Sequence, residues 1–280
     1  MSPREYDESD ARVRPSRSTR PRSKDRPSHS TAISALVTTV DRGRQTCITD
    51  DGVIITAMRA RELGPKSVVV GDRVSIVGDV TGDDGSLARI VAVSERRNSL
   101  SRTVDDAAQV ERTIVANIDQ LVIVVAAVNP EPRRGLIDRF LVSAFTEGIT
   151  PKLVVTKTDL GAVPDFLAEY AKLDVEILHT AIKTDSREKD LEALHEMLAG
   201  KISVLVGHSG VGKSTLINAL IPAADRLTGD VNAATGRGRH TSSSAIALAL
   251  NTNDGWIIDT PQNPKTPDIE VRMKTNNITR

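Results

Sequence analysis

The stretch Gly207-His208-Ser209-Gly210-Val211-Gly212-Lys213-Ser214 constrains the fold of this chain more than any other. It matches G-x-x-x-x-G-K-[S/T], follows the apolar run Ile202–Val206 and opens a helical pattern, Ser214–Leu220. Glycines let a backbone curl until several N–H groups point at one phosphate, and a helix N-terminus adds positive potential there. Lys213 is expected to reach the β and γ oxygens, Ser214 to offer a hydroxyl to Mg²⁺, and Thr215 to lie near the α-phosphate. Such a strand–loop–helix unit needs a parallel sheet covered by helices, so the fold around it is expected to be α/β.

The flanking sequence agrees. Gln120–Val128 is a continuous apolar run, as a buried parallel strand requires. Leu136–Glu147, Pro164–Lys172 and Glu188–Leu198 have helical spacing, and they alternate with the strand-like runs Lys152–Thr156, Val175–His179 and Lys201–Val206. Upstream the pattern changes. Ile33–Val40, Gln45–Thr49, Val53–Thr56, Arg73–Val77 and Leu87–Val93 are short β-branched runs separated by turn residues, which predicts a small all-β, OB-like barrel. Residues 1–30 carry arginines among serines and prolines and read as a disordered basic tail. Such a tail is either an arm for nucleic-acid phosphates or simply solvated. The expected organisation is therefore a tail at 1–30, an OB-fold domain at 31–95, a polar linker at 96–111 and a nucleotide-binding domain at 112–280.

Composition excludes several functions. The 37 basic and 37 acidic residues cancel to a net charge of +0, so no global field attracts a polyanion. A single cysteine, Cys47, rules out an intrachain disulfide and a cysteine-rich metal site. It fits a reducing cytoplasm. No run is apolar and long enough to span a membrane as a helix. Aromatic residues make up 2% of the chain, too few for single-strand binding by base stacking.

A phosphate loop does not choose its base. Thr156-Lys157-Thr158-Asp159, after the strand-like run Lys152–Val155, does so. A carboxylate at its last position can accept from guanine N1–H and N2–H₂ together, a pair that adenine cannot supply. The Lys157 stem would pack along the base. Thr156 stands where N-K-x-D loops carry Asn, and Thr180-Ala181 resembles a short S-A element that supports guanine O6 through the backbone. Downstream, Gly236-Arg237-Gly238-Arg239-His240-Thr241 reads as a switch loop, and Trp256–Asp259 as a strand ending in a carboxylate near the metal. The base loop therefore precedes the phosphate loop, the order of a circularly permuted GTPase.

That order resembles the ribosome small-subunit-dependent GTPase A (RsgA/YjeQ) family. The likeness lies in Arg96–Arg102, Ala116–Gln120, Leu136–Leu141, Gly207–Ser214 and Gly236–Thr241, and spans roughly Val37 to Pro261. The resemblance implies an OB domain, a permuted G domain, and a monomeric cytoplasmic GTPase. It further implies that the GTPase acts on the small (30S) ribosomal subunit and its 16S rRNA late in maturation. The implied cofactors are GTP and Mg²⁺, with Ser214, Thr241 and Asp259 holding the metal, and with Lys213 and His240 catalytic. Residues Thr156 to Asp159 and Gly207 to Thr215 (with His208, Ser209, Gly210, Val211 and Gly212 between) would hold the nucleotide.

Two departures stand out. The family's zinc domain is not expected here, because no cysteine follows Cys47 and no histidine follows His240. The D-x-x-G element reads Asp259-Thr260-Pro261-Gln262 and lacks its glycine. The alternatives are thus a GTP-binding module impaired in hydrolysis and an ATP-using P-loop enzyme, against which Asp159 argues. His179 and His195 read as structural or exposed. The pairs Arg96-Arg97 and Arg133-Arg134 are either rRNA contacts or solvated faces.

Overall fold

Alternating side chains close the first five strands into a barrel. In the computed structural model, which describes residues 31–41, 43–64, 67–103, 111–222, 245–250 and 255–260, these are β1 (Ile33–Asp41), β2 (Arg44–Thr49), β3 (Ile54–Arg59), β4 (Arg73–Gly78) and β5 (Ala88–Val93). They pair in the order β1-β2-β3-β5-β4, and β4 returns to β1, as in an OB fold. Ala35, Val37, Cys47, Ile55, Ala57, Val74, Ile76 and Ile90 fill the interior. Their neighbours on β3, Ile54 and Met58, face outward.

The second region is a parallel sheet with helices on both faces. Its strands are β8 (Gln120–Ala126), β9 (Thr150–Thr156), β10 (Glu176–His179), β11 (Lys201–Val206), β12 (Ile246–Ala249) and β13 (Gly255–Asp259), in the order β10-β9-β8-β11-β13-β12. Only the edge strand β12 runs antiparallel to its neighbour in this group. The unbroken apolar run of β8 is explained by its two covered faces. Leu121, Ile123 and Val125 pack with α1 (Arg134–Thr146) and the 3₁₀ segment Asp165–Leu173. Val122, Val124 and Ala126 pack with α2 (Arg187–Leu198) and α3 (Lys213–Leu220).

Three sequence expectations are corrected. Within the stretch 96–111, read as a linker, lies β6 (Ser99–Thr103), which pairs with β7 (Glu111–Ala116) as an antiparallel ribbon. Leu100 and Val115 anchor that ribbon in the core below β8. The helix expected at Pro164–Lys172 is a 3₁₀ segment that ends at Asp174, a residue in the left-handed region. Arg96 is not a solvated face but is partly buried against Asp72, and Arg97, though more exposed, is tied to Asp119; the pair fastens the two regions together.

That seam is dense. Arg96 donates through Nε and Nη2 to the two oxygens of Asp72 at 2.7 and 2.8 Å, and Asp72, 0% exposed, also accepts from Val69 N. The carboxylate beside it holds the Arg96 guanidinium above its ordinary pKa, against the effect of burial. Asn117 reaches from the end of β7 to Gly71 O, and Asn98 exchanges hydrogen bonds with Ile118. Arg97 donates to Asp119, which accepts from Ile202 N at the start of β11. At Gly71 (φ +88°) a Cβ would lie 2.1 Å from Ala116 O, so only glycine allows the two backbones to meet. β1 also pairs with β12 at Thr39 and Ile246, which joins barrel and parallel strands into one eleven-stranded sheet.

Candidate nucleotide-binding site

The carboxyl ends of β9, β11 and β13 open onto one cleft, where ligands of open parallel sheets bind. The cleft measures about 690 Å³, within the range of small-molecule sites, and Thr156, Lys157, Asp159, Thr180, Gly210, Gly212, Lys213, Ser214, Thr215 and Asp259 are among the residues lining it. The two loops singled out in the sequence therefore face each other across one space.

The phosphate loop has the geometry its glycines imply. Gly207 sits at φ +146°, and a Cβ there would come within 2.1 Å of Val124 O on the neighbouring strand. Gly210 and Gly212 also have positive φ, and Gly212 caps the N-terminus of α3. Lys213 Nζ donates to Gly207 O at 2.6 Å and His208 O at 3.0 Å, so the ammonium is held over the loop. Ser209, Ser214 and Thr215 are exposed to the cleft, and Val211 is buried beneath the loop. His208 turns its Nδ1 to Ser209 O, which makes it part of the loop's own shape.

The base-side loop is built by side chains. Thr156 is buried, and its hydroxyl lies 2.5 Å from Val211 O and 3.2 Å from Val125 O. The residue that departs from the usual Asn thus still ties this loop to the phosphate loop. Lys157 adopts φ +57° and donates to Asn129 O. Thr158 N and Oγ1 both donate to Thr180 O, which joins the T-K-x-D loop to the following turn. Asp159 is exposed at the rim.

Residues present on the third wall suit a hard cation. Asp259 ends β13 opposite Leu205 and lines the cleft with Ser214. Burial raises its pKa, and the nearby Lys213 charge opposes that shift. A desolvated carboxylate and a hydroxyl at a phosphate loop match Mg²⁺, which takes few protein oxygens and keeps waters and phosphate oxygens as ligands. No group of three or more His, Cys, Asp or Glu residues could hold a metal among the described residues. Thr241 and His240 lie outside the described residues, as do Gly236–Arg239, Pro261 and Gln262. His179 is exposed on β10, and His195 lies on α2.

A glycine-built phosphate loop facing a T-K-x-D loop, with the latter first in the chain, defines a circularly permuted P-loop nucleotide-binding protein. Comparison with known proteins narrows the class. The family model described as "RsgA GTPase" matches residues 93–263. Small ribosomal subunit biogenesis GTPase RsgA of Chlorobaculum tepidum is 36% identical over 238 residues, covering 82% of this chain and 74% of that protein. The protein of the same name from Gemmatimonas aurantiaca is 37% identical over 202 residues, 71% of this chain and 64% of that one. Among solved structures, YjeQ from Thermotoga maritima aligns with TM-score 0.60 at 29% identity, over 82% of this chain and 74% of that chain. YloQ, a circularly permuted GTPase, aligns with TM-score 0.57 at 22% identity, over 85% and 74%, and supports the fold. The chain belongs to the RsgA GTPase family.

One contributor was missed in the sequence. Asp190, on the first turn of α2, hydrogen-bonds the Thr180-Ala181 turn from nine residues away. An acidic residue in a helix's first turn reads as an ordinary dipole partner, and nothing local marks it otherwise.

Proposed function

We propose that this chain binds GTP with Mg²⁺ in the cleft, hydrolyses it to GDP and phosphate, and acts on the small ribosomal subunit during its late maturation. The observation carrying the reading is the hydrogen bond from Thr156 Oγ1 to Val211 O, which brings base loop and phosphate loop onto one nucleotide-sized space. Asp159 accepts from the guanine edge, and Lys157 lies along the base. The amides of Gly207 to Thr215 and the Lys213 ammonium stabilise charge on the phosphates as water attacks in line. Ser214, Asp259 and Thr241 would hold Mg²⁺, which would supply positive charge against the phosphates. His240 orients the attacking water. The names of the relatives support the ribosomal role; contact with 16S rRNA by a monomeric cytoplasmic protein belongs to the same proposal. Among the described residues, no helix is long and apolar enough to cross a membrane.

Gln262, in place of the D-x-x-G glycine, favours a second reading in which GTP is bound but hydrolysed poorly. Phosphate release measured with and without small subunits separates the two, with Lys213→Ala as the control. Turnover stimulated by subunits supports the first reading; tight GTP binding with no release supports the second. Equal affinity for GTP and ATP, unchanged in Asp159→Ala, would end both.

A further inference from the structure

The turn after β10 is shaped by a side chain outside it. Asp190 Oδ2 accepts from Ala181 N at 2.6 Å and from Ser186 Oγ at 3.1 Å. Ser186 Oγ lies 2.9 Å from Thr184 Oγ1, and Thr184 donates to Ala181 O through both N, at 3.0 Å, and Oγ1, at 2.8 Å. The circuit closes on itself, with Asp190 as its only charged member. Its product is a fixed turn whose residues Thr180, Ile182 and Lys183 line the cleft alongside Asp159. Thr180 O in turn receives both donors of Thr158, so the same circuit supports the T-K-x-D loop.

We infer that Asp190 is a positioning residue for base recognition, acting by clamping the 180–186 turn against the purine edge. The inference rests on the proposed guanine site. A helix-capping role would satisfy amides of the helix's own first turn. Asp190 instead takes the amide of Ala181, nine residues earlier and between the cleft-lining Thr180 and Ile182. Because Ala181 N–H is committed to the carboxylate, this turn meets a purine edge through its other groups, among them those of the cleft-lining Thr180, Ile182 and Lys183. Only a turn held in register can present them, and the charge strengthens the hold, since hydrogen bonds to an ionised acceptor are roughly twice as strong as neutral ones.

The test measures binding of GDP, ADP and inorganic tripolyphosphate to the full chain by calorimetry, for the wild type, Asp190→Ala and Asp190→Asn. Tripolyphosphate probes the phosphate loop alone. Asp190→Ala should weaken GDP binding about tenfold and leave tripolyphosphate within about twofold, as expected from losing one charge-assisted clamp. Asp190→Asn, which keeps an oxygen for Ala181 N and Ser186 Oγ but not the charge, should recover about half of that loss in free energy, leaving GDP binding about threefold weaker than wild type. An Asp190→Ala chain that binds GDP as tightly as the wild type overturns the inference while leaving the guanine site intact. Equal loss of GDP and tripolyphosphate also overturns it, because the effect is then general to the fold. A wild type that binds GDP and ADP equally removes the guanine site itself, and the inference with it.

Discussion

The parallel sheet has two polar ends, and the ends are used in opposite ways. At the amino ends, Asp119, Gln120 and Ser203 meet the barrel seam and the helix behind it, each with a hydrogen-bond partner. At the carboxyl ends, Asp159, Ser209, Ser214 and Thr215 face solvent in the cleft. Buried polar groups that are fully paired specify one arrangement of the chain. Exposed ones beside positive-φ glycines leave donors and acceptors for a ligand. The same residue types therefore provide stability at one end of the sheet and binding at the other, and substitutions at the two ends should have separable signatures.

The largest expected effect is at the cleft. Lys213→Ala should lower GTP turnover by about 100- to 1,000-fold, the usual cost of losing one donor aimed at transition-state charge. Its unfolding free energy should change by about 1 kcal/mol or less, because its hydrogen bonds to Gly207 O and His208 O are to loop carbonyls at a partly exposed position. Turnover assays and urea unfolding on the same preparation check both halves. The seam should behave in reverse. Asp72→Ala removes the acceptor of Arg96 and of Val69 N and should destabilise the chain by about 3 kcal/mol. That is the low end for a broken buried pair, since the Arg96 side chain, at 27% exposure, can still reach water. In mild conditions its GDP affinity should stay within about twofold of wild type, as expected for a distant, independent site. A large affinity loss in Asp72→Ala would show that the two ends are not separable.

Thr156 should break the division, because it belongs to both ends of the argument. It is buried like a seam residue and spans the two walls of the cleft. Thr156→Val removes the single hydroxyl donor that Val211 O and, at longer range, Val125 O share, and should cost about 1–2 kcal/mol in stability and a similar amount in GDP binding. Thr156→Ser should restore both. A Thr156→Val chain that loses stability but not affinity would place this residue with the seam.

The phosphate loop was readable in sequence because its requirement is local: consecutive residues with glycine at fixed offsets create the site. The barrel strands were readable for a similar reason, through alternation and turn residues within each run. The seam was not. Asp72 and Arg96 are 24 residues apart, and neither looks different from a surface charge until the barrel closes. The β6–β7 ribbon was hidden because its strand Ser99–Thr103 carries one apolar residue, Leu100, amid polar ones. Asp190 was hidden by resembling a common helix-start residue. In each case the missing information was a partner distant in sequence.

Whether the two ends report to each other can be read from Cys47. Its thiol lies in the barrel interior, and burial raises its pKa from 9.0 to about 12. The native thiol is therefore almost wholly protonated at pH 8 and closed to iodoacetamide, which attacks the thiolate. The raised value favours the folded state only below pH 9.0. That advantage is lost as pH rises toward about 12, because the unfolded chain ionises first. Between pH 8 and pH 10 the loss amounts to about 1.4 kcal/mol, absent in Cys47→Ala. At pH 8 modification must pass through opened molecules, and its rate follows their population when reclosing is fast. The continuous sheet through Thr39 and Ile246, together with the paired seam, argues that the barrel opens only when the nucleotide-binding sheet does. GDP at ten times its Kd should then slow modification of Cys47 by about elevenfold, or 1.4 kcal/mol, although it binds at the far end of the strands. A rate indifferent to GDP would mean that the barrel opens alone and that the seam, for all its hydrogen bonds, does not transmit stability.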